Sequence, residues 1–186
     1  MARISGLARD AVPADVAAVY DRQNAFYGDV LFNHRVLARR PTIFRGFRGV
    51  WEGLEASGEL PARLVDLVNM RVASLIGCGL CMDINRAVGG AHGVTLDEFS
   101  QLPSHAASPA FSEAEKAALA YADAMTNVGN VSDDVFAALR PHFGENAIVE
   151  LSATIAFEIC IATFNRALHI ESQAICVPPP PHPAGS

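Results

Sequence analysis

The sequence has few basic residues, and they form no cluster. It contains 14 lysine and arginine residues against 20 aspartate and glutamate residues, which gives a net charge of −6. Phosphate backbones attract positively charged protein surfaces, so this balance argues against a nucleic-acid-binding protein. Charged residues make up 18% of the chain and hydrophobic residues 51%, so the chain has enough apolar side chains for a folded core rather than a disordered one.

The sequence also lacks a signal peptide and a membrane-spanning run. Residues 1–10 have no apolar stretch of the kind that signal peptides carry. The longest apolar run, Leu151 to Phe164, is shorter than the about 20 residues that span a bilayer, and Glu158 interrupts it. We therefore expect a buried helix there, no membrane contact, and a cytoplasmic protein whose four cysteines are reduced.

No stretch alternates between apolar and polar residues as β-strands do, and we predict an all-α fold of about eight helices. Apolar residues instead recur every three or four positions, as on one face of a helix. The clearest helices are predicted at 41–56, 62–76, 112–128 and 145–168. We expect an N-terminal arm at 1–12, one domain at 13–172, and a proline-rich C-terminal tail at 173–186.

Two cysteines, Cys78 and Cys81, follow directly after a helical run that ends at Gly77. Their spacing places both in the first turn of the next helix. Unpaired backbone N–H groups and the positive end of the helix dipole favour a thiolate at that place. Two thiols one turn apart can also close into a disulfide that thiol exchange reopens. The sequence therefore predicts a dithiol redox centre.

Two other interpretations of this pair stay open. Half of a zinc site is one, but structural zinc needs four ligands, and the sequence has no second CxxC and no close pair of histidines. The other is plain packing, because free cysteines are among the residues most often buried. Gly77 and Gly79 indicate a tight helix entrance, which favours the redox interpretation. We expect no metal and no organic cofactor.

The helical pattern brings two further residues into consideration. Asn85 stands four positions after Cys81, and therefore on the same face of the helix. Asp66 stands twelve positions before Cys78, in the preceding helix. Its carboxylate faces the thiol helix only if the chain folds back at Gly77. In one continuous helix, Asp66 and Cys78 would lie about 18 Å apart.

This pattern resembles that of the carboxymuconolactone decarboxylase and AhpD-like alkylhydroperoxidase family. The resemblance rests on Asp66, the twelve-residue step, Gly77-Cys78-Gly79-Leu80-Cys81 and the Met82-Asp83-Ile84-Asn85 that follows. It extends through the helical pattern on both sides and covers most of residues 3–172. The resemblance implies an AhpD-like helical bundle with its CxxC at a helix N-terminus, and a homo-oligomer, commonly a trimer or a hexamer of trimers.

The resemblance also implies a catalytic role for each of these residues. In peroxidase members, the second cysteine attacks the peroxide, the first resolves the sulfenic acid, and a glutamate and a histidine relay the proton. By position, Cys81 is then the attacking thiol and Cys78 the resolving one. Asp66 stands in place of the glutamate. Asn85 stands in place of the histidine and cannot exchange a proton near neutral pH.

Because general acid–base catalysis contributes ~10²–10⁴-fold, we expect a slower peroxidase than the full motif would give. Its substrate would be a hydroperoxide, and a dithiol reductant of unknown identity would reopen the disulfide. A decarboxylase-type lyase acting on a lactone acid is one alternative, although it needs no CxxC and the sequence shows no basic cluster for a carboxylate. The other alternative is a non-catalytic, redox-sensing oligomer, which stays open because the chain lacks the histidine of the family motif.

Glu158 is an acidic residue inside the most apolar helix. A buried carboxylate is costly unless it is paired, and its expected partners are Asn165, Arg166 or an arginine of a neighbouring subunit. It is interpreted either as half of a structural ion pair or as a site residue in a pocket between helices. The six histidines have no partner at ligand or triad spacing, and we expect them at the surface or at helix ends.

Overall fold

The computed structural model describes residues 2–127 and 130–175, and this part of the chain contains nine α-helices and no β-strand. The helices are α1 (Ala14–Tyr27), α2 (Phe32–Leu37), α3 (Pro41–Ser57), α4 (Ala62–Ile76), α5 (Gly79–Gly89), α6 (Leu96–Gln101), α7 (Glu113–Asn127), α8 (Asp133–Leu139) and α9 (Glu145–Ala167). The all-α prediction is confirmed. Val128, Cys176 and the rest of the predicted tail beyond 175 lie outside the described residues.

The helix boundaries follow local signals in the sequence. Thr95 accepts a hydrogen bond from the Glu98 backbone while the Glu98 side chain returns to the Thr95 backbone, which is a capping box at the start of α6. Ser112 and Glu115 make the same pair of bonds before α7. Between α2 and α3, Arg40 leaves the helical conformation with φ −130° and ψ 82°, because Pro41 disfavours helix in the residue before it.

The helix α4 lies at the centre of the bundle, with α5, α7 and α9 packed around it. Leu67, Val68 and Val72 on α4 are completely buried. One apolar cluster joins α4 to α7 and the first half of α9, and a second joins α1, α2 and α3 to the cysteines and the second half of α9. The cysteine pair therefore lies inside the second cluster.

The helix α9 is long and apolar enough, by length and composition alone, to cross a membrane. It packs against α3, α4 and α7, and its buried face includes the polar residues Glu150, Thr154, Glu158 and Asn165. We therefore interpret α9 as an internal helix of the bundle, as the sequence suggested. Its polar residues are the part of this helix that bears on function.

Both ends of the described chain pack onto the bundle near the end of α9. The Arg3 N–H donates to the Leu168 carbonyl at 2.9 Å, and the Leu7 N–H donates to the Arg35 carbonyl at 2.9 Å. After α9 the chain crosses the start of α5. We call residues 169–175 the C-terminal strap. The predicted boundary between domain and tail falls within this strap and stays a prediction.

Candidate dithiol site

The chain folds back between α4 and α5 at Gly77. This residue has φ 75° and ψ 37°, a left-handed conformation that glycine adopts without the penalty of a Cβ atom. The Cys78 N–H donates to the Ala73 carbonyl at 2.9 Å and so completes the end of α4. Because α4 and α5 then pack against each other, the two cysteines start a helix that returns along the central helix of the bundle.

Cys78 is the N-cap residue of α5. Its Sγ accepts a hydrogen bond from the Cys81 backbone N–H at 3.3 Å, in the place where serine or aspartate usually caps a helix. Asn165 Nδ2 on α9 approaches the same sulfur at 3.4 Å. Both donors favour a negative charge on Cys78.

Cys81 lies one helical turn further on, within reach of the same amide. Asn165 Nδ2 is 3.5 Å from its Sγ. Because one amide nitrogen reaches both sulfur atoms, the two thiols are neighbours, and the Cys81 thiol acts as a hydrogen-bond donor toward Cys78. The predicted position of the CxxC pair at a helix N-terminus is confirmed.

The two thiols differ in their ionisation. The hydrogen bond from the Cys81 thiol, with those from Asn165 and the Cys81 N–H and the positive charge of Arg166, lowers the pKa of Cys78 to about 6 although burial opposes this. Donation of that hydrogen bond to Cys78, burial and the nearby Glu158 all raise the pKa of Cys81. These shifts favour the negative charge on Cys78 and the proton on Cys81.

Glu158 is the third ionisable group of the site. It lies seven residues, about two turns, before Asn165 and so on the same face of α9. It is 5% exposed, and burial raises its pKa to about 8, against a hydrogen bond from the Cys81 thiol and with a further rise from the charge on Cys78. Its Oε1 has no hydrogen-bond partner among the described residues.

Neither expected partner pairs with Glu158. Asn165 turns its amide nitrogen to the two sulfurs, and the Arg166 side chain lies beside Gly77, with Nε 3.9 Å from where a Cβ would stand on that glycine. The described part of the chain gives Glu158 no ion pair. Its interpretation as half of an intrachain ion pair is therefore not supported.

Asp66 is bound at the other end of α5. Its Oδ2 lies 2.6 Å from His92 Nδ1, in the short turn that follows α5. The eight residues from Cys81 to the end of α5 correspond to about 12 Å along the helix. His92 lies at a helix end, as expected, and the turn after Gly89 brings its ring beside α4. The surface expectation is wrong for His105, which is 6% exposed and lies 3.2 Å from Asp123.

Asn85 makes its hydrogen bond within its own helix. Its Nδ2 donates to the Cys81 carbonyl at 2.9 Å. Among the described residues, neither Asn85 nor Asp66 has a hydrogen bond to a sulfur atom, and their predicted catalytic roles stay predictions. The amide that contacts both thiols is Asn165, which sequence reasoning named only as a partner for Glu158. The signal for it was two polar residues seven apart in an apolar helix.

The C-terminal strap covers the start of α5. Asp83 accepts hydrogen bonds from Ser172 Oγ at 2.5 Å, the Gln173 N–H at 2.9 Å and the Ala174 N–H at 3.1 Å. The strap passes so close to Gly79 that a Cβ atom there would lie 3.3 Å from the Ser172 nitrogen. With the strap in place, Cys78 is 0% and Cys81 3% exposed. An oxidant therefore reaches the sulfurs only when the structure around them opens.

An all-α bundle that places a buried CxxC pair at a helix start defines the AhpD-like class of proteins. The chain belongs to the carboxymuconolactone decarboxylase family, whose sequence model matches residues 41–124. This match contains α3 to α6 and most of α7. The family predicted from the CxxC pattern is thereby confirmed.

Similar proteins support the same assignment. The uncharacterized protein YnjA of Escherichia coli (strain K12) is 32% identical over 152 residues, which cover 81% of this chain and 84% of that protein. The AhpD core of a peroxidase-related protein from Ralstonia eutropha JMP134 has a TM-score of 0.83 at 19% identity, covering 92% of both chains. The debrominase Bmp8 has a TM-score of 0.81 at 22% identity, also with 92% of both chains. These structural likenesses confirm the AhpD-like fold.

Proposed function

We propose that this protein is a thiol-dependent oxidoreductase that reduces hydroperoxides with the Cys78–Cys81 dithiol. The family includes peroxidase-related and decarboxylase-type proteins, and the site favours the former. The observation that carries the proposal is a pair of sulfur atoms that share one donor at a helix start, with Asn165 Nδ2 3.4 Å from Cys78 Sγ and 3.5 Å from Cys81 Sγ. Such a pair can give two electrons to an oxidant and finish as a disulfide.

The first step is attack by the Cys78 thiolate on a peroxide oxygen. A sulfur–oxygen bond forms, the oxygen–oxygen bond breaks, and the alkoxide leaves as an alcohol after taking up a proton. Cys78 is then a sulfenic acid. Asn165 and the Cys81 backbone N–H, which stabilise the thiolate before attack, position its sulfur at the start of α5.

The second step closes the disulfide. Cys81 loses its proton and attacks the Cys78 sulfenic sulfur, so that a sulfur–sulfur bond forms and hydroxide leaves as water. The sum is two thiols and one hydroperoxide giving one disulfide, one alcohol and one water. An external dithiol then returns two electrons and two protons by exchange.

The order of attack proposed here is the reverse of the one that the family resemblance implies. In peroxidase members, the second cysteine, here Cys81, attacks. In this structure, both sulfurs share the Asn165 amide, but the Cys81 backbone N–H donates only to Cys78, and burial and Glu158 favour the proton on Cys81. Since the thiolate is the nucleophile, Cys78 is the better attacking group.

The proposal is tested by hydroperoxide consumption with a small dithiol as reductant. We expect turnover by the wild-type chain and by Cys160→Ser, whose cysteine is exposed on α9. Cys81→Ser should react once and stop with a sulfenic acid on Cys78, trapped by a 1,3-dicarbonyl reagent. Trapping on Cys81 in the Cys78→Ser variant instead would support the family's order. No peroxide consumption with both thiols free would contradict the proposal.

The same assay separates the two alternatives. A decarboxylase-type lyase would act on its lactone acid without either thiol, so it would survive in Cys78→Ser. A redox-sensing protein would form the disulfide once and show no sustained turnover. The likeness to debrominase Bmp8, at 22% identity, shows the fold and adds no substrate class.

The other expectations from the sequence stay part of this proposal. A homo-oligomer is supported by exposed apolar residues on α9 and α3, where Val149 is 69%, Ile43 49% and Val50 46% exposed. Light scattering after size-exclusion chromatography would distinguish a trimer or hexamer from a monomer. We also propose a cytoplasmic location, where a cellular dithiol reductant would reopen the disulfide, and neither nucleic acid nor membrane as a partner.

A further inference from the structure

We infer that Glu158 is the proton carrier of this site, the group that takes the proton from Cys81 when the disulfide closes. The inference rests on the proposed dithiol chemistry. It assigns a base to a site in which asparagine stands in place of the histidine of the family motif. The motif's two proton-relay positions are occupied by Asp66 and Asn85. Asp66 is paired with His92, and Asn85 donates to a backbone carbonyl.

The position of Glu158 fits the role of proton carrier, and its contacts in the described part of the chain show no structural role. Its carboxyl group is buried on the same face of α9 as Asn165, beside the Cys81 thiol, whose proton has to move. Within the described residues it has no cation to offset burial, and Oε1 has no partner at all. A buried carboxyl without compensation costs stability. A need for its proton in the reaction therefore explains the burial of Glu158 better than a structural role does.

The charge of the site supports the same role. Among the described residues, the groups that set the ionisation of Glu158 are Cys81 and Cys78, both from α5 and its N-cap, and Arg166 on α9 acts in turn on Cys78. In the resting state, burial is the main reason that the Glu158 carboxyl stays protonated, and the negative charge on Cys78 adds to it. Once Cys78 becomes a neutral sulfenic acid, that charge is gone and Glu158 ionises more easily. The negative charge thus passes from sulfur to carboxylate.

The protons balance over the cycle. On attack by Cys78, Glu158 releases its proton and the alkoxide leaves as alcohol. The Glu158 carboxylate then accepts the Cys81 proton, and the Cys81 thiolate attacks the sulfenic sulfur. The proton passes on to the leaving hydroxide, which becomes water. Glu158 ends as a carboxylate beside the disulfide and is protonated again when the external dithiol supplies two electrons and two protons.

The experiment compares Glu158→Gln with Glu150→Gln. Glu150 lies on the same helix and is 6% exposed against 5% for Glu158, but it binds the backbone N–H groups of Glu59 and Leu60 and lies away from the sulfurs. After one equivalent of hydroperoxide without reductant, disulfide formation is followed by intact mass and the sulfenic acid by trapping. Glu158→Asp, which keeps an ionisable group, is measured beside them.

We expect the wild-type chain and Glu150→Gln to close the disulfide without accumulating sulfenic acid. Glu158→Gln should accumulate the Cys78 sulfenic acid and close the disulfide ~10²–10⁴-fold more slowly. Its closure rate should also rise steadily with pH, since hydroxide must then remove the Cys81 proton, while Glu158→Asp recovers part of the rate. These responses do not follow from a change in packing alone.

Two results would overturn the inference. If Glu158→Gln closes the disulfide as fast as Glu150→Gln, Glu158 is not the proton carrier, although the dithiol peroxidase itself stands. If the wild-type chain forms no disulfide with hydroperoxide, the proposed function and this inference fail together.

Discussion

The helix α9 carries two buried carboxyl groups, Glu150 and Glu158, which lie two turns apart and behave in opposite ways. Burial opposes ionisation at Glu150, but hydrogen bonds from Ser57 and from the Glu59 and Leu60 N–H groups outweigh it and lower its pKa. Burial dominates at Glu158 and raises its pKa to about 8. Two things make the difference: neighbouring elements supply donors to Glu150, and Glu158 lies deeper, because Glu150 lines an open surface pocket.

On the proposed mechanism, this contrast separates a structural end of α9, at Glu150, from a functional end, at Glu158. At Glu150, fixed backbone donors tie the helix to the chain segment before α4, so the carboxylate holds the fold together. At Glu158, the neighbouring group is the Cys81 thiol, whose proton leaves in the proposed reaction. Substitution of Glu150 should therefore lower stability at neutral pH, whereas substitution of Glu158 should slow the proposed chemistry and remove a cost to stability.

The largest expected effect is loss of activity on substitution of the dithiol. Cys78→Ser removes the thiolate that Asn165 and the Cys81 N–H stabilise and should abolish sustained hydroperoxide turnover, because serine is not ionised near neutral pH. Cys160→Ser, at an exposed cysteine of α9, should retain the full rate. Steady-state peroxide consumption measures both. Equal rates in Cys78→Ser and Cys160→Ser would show that turnover does not need the dithiol, and the proposed role of the Glu158 end of α9 would then fail.

The next effect concerns stability against pH. Folded Glu158 keeps its proton up to about pH 8, whereas the group ordinarily loses it at 4.5, so its contribution to stability falls as pH rises between those values. The fall is roughly 1.4 kcal/mol per pH unit where the two states differ fully by one proton. Glu158→Gln lacks this loss and should become more stable relative to the wild-type chain as pH rises from about 5 to about 7.5.

Glu150→Gln should change with the opposite sign. The folded pKa of Glu150 is lowered, so its contribution to stability is present at neutral pH and is lost as pH falls through the folded value. The variant should lose about 1–3 kcal/mol of unfolding free energy near neutral pH and less under acid conditions. Urea unfolding of Glu158→Gln and Glu150→Gln at about pH 5 and about pH 7.5 measures whether their unfolding free energies change in opposite directions relative to the wild-type chain. If the unfolding free energies of both variants changed in the same direction, the two carboxyl groups would not have oppositely shifted pKa values.

A smaller effect is expected from the amide that serves both sulfurs. Asn165→Ala removes a donor 3.4 Å from Cys78 and 3.5 Å from Cys81 and should raise the pKa of Cys78. A hydrogen bond to a charged group is worth about 1.5–3 kcal/mol, so alkylation of Cys78 below neutral pH should slow by roughly tenfold to hundredfold. Asn69→Ala removes another buried amide, on α4, and should leave the alkylation rate unchanged. Equal slowing would indicate loosened packing instead.

The smallest expected effect concerns access to the site. Asp83→Ala removes the acceptor of three hydrogen bonds from the C-terminal strap and should let the strap leave the start of α5 more often. Alkylation of the thiols should speed up several-fold, because opening precedes reaction. Asp21→Ala, which breaks an exposed ion pair with Arg9, is the matched control. An unchanged rate in Asp83→Ala would show that the sulfurs are reached by another route.

Most of the fold could be predicted from the sequence, because its signals are local. The predicted helix at 62–76 matches α4, and the capping boxes at Thr95 and Ser112 mark the starts of α6 and α7. Cys78 as the start of the next helix follows in the same way from Gly77 and the CxxC spacing. These features depend on hydrogen bonds over a few residues, so spacing is enough to find them.

The partners of the site residues depend on tertiary packing and could be predicted only in part. Glu158 stood out as a charge in an apolar helix, but its neighbour Cys81 is 77 positions away in sequence and comes from another helix. Asp66 and Asn85 were chosen by spacing, and the structure gives them His92 and a backbone carbonyl instead. Spacing along one helix does not specify which side chains a second helix brings to it.

The most direct measurement is the intact mass and peptide map of the Cys160→Ser/Cys176→Ser variant after one equivalent of hydroperoxide without reductant. The proposed chemistry predicts a loss of two hydrogen atoms, located to a Cys78–Cys81 disulfide that a dithiol reverses. An unchanged mass with both thiols free, or added oxygen without the cross-link, would contradict it.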